Sequence, residues 1–107
     1  MSEGYNGFKN YETWNVNLWI SNDEFAYRRW NDRAEELVGE ELDENTSNDE
    51  ARRGAAGRLA KEIEEAHRDE MPEVQGTYSD LLIAALGEVD WEEIATGIVG
   101  DVDIERE

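Results

Sequence analysis

Apolar residues recur at helical spacing in five stretches of this chain, separated by short polar segments. In residues 12–20, Tyr11, Trp14, Leu18 and Trp19 can share one helical face, although Trp14, Val16, Leu18 and Ile20 also alternate as a strand would. Helix is the preferred reading. Ser21 followed by Glu24 has the spacing of a capping box, in which the cap side chain and the glutamate each satisfy a backbone N–H of the first turn. It predicts a second helix with the stripe Ala26, Trp30, Ala34, Leu37, Val38 and Leu42. The polar run 43–49 is a loop. Ser47 and Glu50 repeat the spacing and open a third helix of about twenty residues, striped by Ala51, Ala55, Leu59, Ile63 and Ala66 and stopped by Met71-Pro72. A fourth helix is expected over 78–86, with Gly87 just past its end where a terminating glycine belongs. Asp90 and Glu93 open a fifth over 91–99.

The expected fold is therefore all-α, a single domain over 1–107 built as a small irregular bundle of about five helices. The helices are too unequal in length for a symmetric four-helix bundle. Residues 1–10 form an arm with turn chemistry at Asn6-Gly7, and residues 100–107 are expected to fray. Inside the third helix, Gly54 and Gly57 each cost roughly 1 kcal/mol relative to alanine. A close approach of a neighbouring helix would offset that cost.

Charge changes the picture more than size does. With 28 acids against 10 Lys and Arg the formal net charge is −18. Nucleic acid and anionic membrane would repel such a chain, so neither is expected as a direct ligand. A basic protein surface is the complementary expectation. The charge is uneven: residues 1–72 hold 18 acids and nine bases, whereas residues 73–107 hold 10 acids and only Arg106. Two Lys against eight Arg also fit a chain adapted to a salt-rich cytoplasm, in which case the acidity maintains solubility and does not mark a binding surface. Aromatics lean to the other end, with eight of the ten between Tyr5 and Trp30. Trp14, Leu18, Trp19 and Trp30 are assigned to the core by default, and Tyr5, Phe8, Tyr11 and Tyr27 are candidates for a contact surface, because Trp and Tyr dominate interface hot spots.

Catalytic and metal chemistry find little support. Glu64 and His67 have a Glu-x-x-His spacing, but a di-metal bundle site needs two such motifs and His67 is the single histidine. There is no cysteine, no phosphate-binding glycine loop and no serine elbow. No catalytic residue, metal or cofactor is expected. No apolar run approaches a bilayer span, and MSEGYNGFKN lacks the basic and apolar regions of a secretory signal, so the expected location is the cytoplasm of a host cell.

The stretch NYETWNVNLWI at residues 10–20, preceded by YNGF at residues 5–8, resembles a segment shared by small proteins of phages, plasmids and other mobile elements. The resemblance covers about residues 5–20 and implies a context, not an activity. In charge and size the chain is also similar to acidic anti-restriction and anti-CRISPR proteins that imitate DNA. That similarity implies a non-catalytic inhibitor of a nucleic-acid-targeting host defence complex, with carboxylates occupying a basic groove. The residues expected to serve are Asp80, Glu88, Asp90, Glu92, Glu93, Asp101 and Asp103. A second acidic strip runs through Glu35, Glu36, Glu40, Glu41, Asp43 and Glu44. The alternative is a mobile-element adaptor that binds its partner through Tyr5, Phe8 and Tyr11.

Overall fold

A computed structural model of the chain describes residues 4–105. Five helices follow one another: α1 (Tyr11–Asn22), α2 (Glu24–Glu41), α3 (Asn48–Asp69), α4 (Thr77–Glu88) and α5 (Trp91–Gly100). Apart from an isolated Tyr5–Phe8 bridge, no strand pairing occurs among the described residues, so the alternating pattern of 14–20 resolves as helix.

The core is built by α2, α3 and α5. Leu37 and Val38, Leu59 and Ile63, and Ile94 and Val99 are its fully buried large residues. Ala34, Ala55, Ala56 and Ala95 line the same interior and let the helices pack closely. The predicted stripes of α2 and α3 are the buried faces, with Leu42 and Ala66 half-buried at their ends. A Cβ at Gly54 would meet the carboxylate end of the flexible Glu41 side chain on α2, so the nearest contact there is a movable side chain and not the closely packed backbone anticipated. Nothing in the structure explains a glycine at position 57. Ion pairs stitch α2 to α3 outside the core: Arg33 grips Glu62 with Nε and Nη2 at 2.7 and 2.8 Å, Arg58 reaches Glu40 and Glu41, and Arg29 reaches Glu70.

Helix ends correct the sequence reading in three places. The cap of α2 is Asp23 and not Ser21, which is still helical in the last turn of α1. Asp23 alone breaks the helix: its N–H donates to the Trp19 carbonyl, and its carboxylate accepts from Phe25 and Ala26. Gly87 lies inside α4, because the chain leaves through an extended Val89 and needs no left-handed residue. The C-terminal segment does not fray at residue 100. Val102 is buried and Ile104 packs on the core, which covers the end of α5; residues 106–107 lie outside the described part. The Ser47–Glu50 capping box forms with both of its hydrogen bonds, and the Ser47 N–H holds the Glu50 carboxyl below its usual pKa.

α1 and α4 sit outside this three-helix core. α1 turns Thr13 and Ile20 inward against α2 and α5. The face expected to pack, Tyr11, Trp14, Leu18 and Trp19, is the outer one: Trp14 and Leu18 are half-buried, and Trp19 is 66% exposed. Of the four residues assigned to the core by default, only Trp30 is fully there, joined unexpectedly by Trp91. α4 packs against α1 and buries none of its residues. The molecule is accordingly elongated, 55 × 35 × 23 Å, with a radius of gyration of 15.3 Å against about 13 Å for a compact chain of this length.

Candidate protein-binding surfaces

The arm is ordered by its own turn. Asn6 and Gly7 both have positive φ, 48° and 89°, as a two-residue primed turn requires, and Tyr5 and Phe8 exchange backbone hydrogen bonds of 2.6 and 2.8 Å across it. The turn folds Tyr5 back onto α1, where its ring meets Tyr11 edge-on at 5.2 Å and Trp14 at 5.0 Å. Tyr11 and Trp14 are themselves 5.5 Å apart, so three rings form one cluster with Tyr5 and Tyr11 on its exposed side. Phe8 points elsewhere. It is half-buried and lines a cavity of about 220 Å³ together with Asn17, Tyr27, Asn31 and Asp101.

A second exposed aromatic group surrounds Asp23. Trp19 in the last turn of α1 and Phe25 in the first turn of α2 both hydrogen-bond to Asp23 through their backbones, and Phe25 is 77% exposed. Tyr27 is half exposed beside them in sequence. Trp19 and Phe25 were not among the residues picked out as contacts from sequence. For Phe25 the signal was present: the stripe Ala26, Trp30, Ala34 places residue 25 off the buried face.

The acids divide into two kinds. Asp90 and Glu93 are committed inside the molecule. The Asp90 carboxylate caps α5 by accepting the Glu93 N–H at 3.0 Å, and the Glu93 carboxylate accepts the Lys9 N–H at 3.0 Å in place of the Asp90 N–H that a full capping box would use. That N–H goes to Thr13 Oγ1 instead, at 2.8 Å. Nearby the Asn10 side chain donates to the Glu88 carbonyl at 2.7 Å, leaving the Glu88 carboxylate exposed. Asp80, Glu88, Glu92, Asp101 and Asp103 are exposed and their carboxylates pair with no cation among the described residues. The second strip differs: among its six acids, Glu36 is paired with Arg33, and Glu40 and Glu41 with Arg58.

His67 does not face a carboxylate cluster. Its Nδ1 sits 2.9 Å from the Ile63 carbonyl and its ring lies 5.4 Å from Trp91, while Glu64 pairs with Arg68. No group of three or more His, Asp and Glu among the described residues is placed to hold a metal ion. No helix among them is long and apolar enough to cross a membrane.

The model of a family of unknown function (DUF7249) matches residues 1–105. No curated protein sequence matches this chain, and no solved structure does.

Proposed function

The chain belongs to this DUF7249 family, and from its surface chemistry we propose that it is a non-catalytic factor that works by binding another protein. The observation that carries this reading is the exposure of Tyr5, Tyr11, Trp19, Phe25 and Tyr27 from one stretch of the chain, while the core is completed without them. Large aromatics left in water beside a filled core are the composition of an interface centre, where Trp and Tyr contribute most of the binding energy. The partner surface meets the arm and the α1–α2 corner, and the mobile-element resemblance supplies the context of an adaptor or accessory protein.

Inhibition of a host defence complex by imitation of DNA is the second reading, and a specific observation favours it. Five acids of the C-terminal third, Asp80, Glu88, Glu92, Asp101 and Asp103, project with no cation paired to them among the described residues, whereas Glu36, Glu40 and Glu41 of α2 are paired. Unpaired carboxylates retain the field that steers a basic groove toward them, and anti-CRISPR or anti-restriction inhibition would use it in that way.

Affinity capture with the full chain at low and high salt separates the two. A partner retained at high salt and lost on combined Trp19→Ala and Phe25→Ala supports the aromatic surface. A DNA-binding complex released by salt, and lost on Glu92→Lys with Asp101→Lys and Asp103→Lys but not on the aromatic changes, overturns it in favour of mimicry.

A further inference from the structure

Helix α4 carries six consecutive apolar residues, Leu81 to Leu86, which at 100° per residue occupy every side of a helix. A helix apolar all round is ordinarily buried, yet no residue of α4 is. Ser79, Leu82, Ala85 and Leu86 form the half-covered stripe. On the uncovered side Leu81 is 62% exposed next to Ala84, Tyr78 is 69% exposed in the first turn, and Ile83 is half exposed on the opposite flank.

We propose that this outer face of α4 is a docking surface for a partner protein whose own apolar side chains are bordered by Lys and Arg. Charge selects that occupant. Asp80 and Glu88 project from that outward side on either side of Ala84, Glu73 precedes the helix, and from Asp69 to Glu105 the chain has no Lys or Arg. A second copy of the chain would bring the same acids face to face between two molecules of net charge −18. An anionic membrane would meet the same repulsion. A basic amphipathic helix laid along α4 answers both requirements, placing leucine-like anchors on Tyr78 and Leu81 and cations on Asp80 and Glu88. The α4 face is distinct from the aromatic corner at Asp23, and it rests on the reading above only in taking the chain to bind protein.

The probe is a synthetic peptide of about 14 residues with leucines at one helical face and lysines elsewhere, set beside a scrambled peptide of the same composition. Amide chemical-shift changes in the full ¹⁵N-labelled chain should concentrate in α4, and the scrambled peptide should bind about tenfold more weakly. Tyr78→Ser with Leu81→Ser should lose at least about tenfold in affinity for the patterned peptide, while Trp19→Ala with Phe25→Ala keeps it. Equal binding of the two peptides, or shifts centred on Asp101 and Asp103, overturns the proposal by reducing the effect to charge alone. Sedimentation of the free chain as a dimer that Tyr78→Ser and Leu81→Ser dissociate overturns it by naming a second copy as the occupant. Failure of the aromatic-surface reading would show separately, as partner capture indifferent to Trp19 and Phe25.

Discussion

The backbone N–H of Asp90 donates to the hydroxyl of Thr13 at 2.8 Å, joining the cap of α5 to the inner face of α1. Thr13 is completely buried, and its hydroxyl donates a hydrogen bond to the Asn10 side-chain oxygen at 2.6 Å. One side chain thus satisfies a cap that its own glutamate leaves open, because the Glu93 carboxylate is occupied with Lys9. Thr13→Val keeps the volume and deletes both bonds. It should lower stability by about 1–3 kcal/mol, the cost of a buried donor left unmade, whereas Thr13→Ser should retain most of it. Urea unfolding of the two variants checks this; equal losses would show that the methyl group, not the hydroxyl, is what matters.

The same junction sorts the C-terminal acids. Asp90→Ala should cost about 1 kcal/mol as a lost helix cap, and Asp90→Lys at least as much. Asp101→Lys and Asp103→Lys remove more charge from the surface yet should leave stability within about 0.5 kcal/mol, since both residues are exposed and their carboxylates pair with no cation among the described residues. Thermal unfolding distinguishes the groups. Loss of binding on altering Asp90 or Glu93 would therefore report on the fold before it reported on any partner.

Trp19→Ala and Phe25→Ala should each change the unfolding free energy by less than about 0.5 kcal/mol, because neither ring reaches the core. A loss near the 3–5 kcal/mol typical of a buried aromatic would place them in packing and remove the basis for a contact surface.

The bidentate pair Arg33–Glu62 sets an acid limb. Hydrogen bonding to Arg33 holds the Glu62 carboxyl below its ordinary value of 4.5, so the folded state favours the ionised form. Its contribution is complete above that ordinary value and is lost as pH falls through the depressed folded value. Glu62→Gln should accordingly be less stable than the wild type at pH 7, with the gap closing in acid. Paired urea titrations at neutral and acid pH measure it, and a gap independent of pH would show that packing and not charge makes the difference.

Net repulsion at −18 should make the folded chain salt-responsive. Raising ionic strength to about 0.15 M shortens the screening length to about 8 Å and should raise Tm by about 5 °C, the shift that ~1 kcal/mol produces in a domain of this size. A melting temperature indifferent to salt would mean that repulsion among the surplus carboxylates is no stronger in the folded chain than in the unfolded one.

What the residues determine locally was legible without a structure. The stripes of α2 and α3 and the Ser47–Glu50 box rest on interactions within a few residues, and they stand as expected. The Asn6-Gly7 turn was also legible, because only two residues of positive φ close it. Tertiary packing decided the rest. Whether Trp19 or Trp91 entered the core depended on which side of α1 and α5 met α2 and α3, and periodicity alone does not say which face is inward. The acids behave alike: composition gave the excess of carboxylate and spacing gave the Asp90 cap, but only the folded chain ties Glu93 to Lys9 and the Asp90 N–H to Thr13, and leaves the Asp101 and Asp103 carboxylates with no cation among the described residues. In α4 the six apolar residues promised burial, and of them Leu86 alone packs against the core. Hydrophobic patterning states what a helix needs covered; how much of it a 107-residue chain can cover depends on the positions of its other helices.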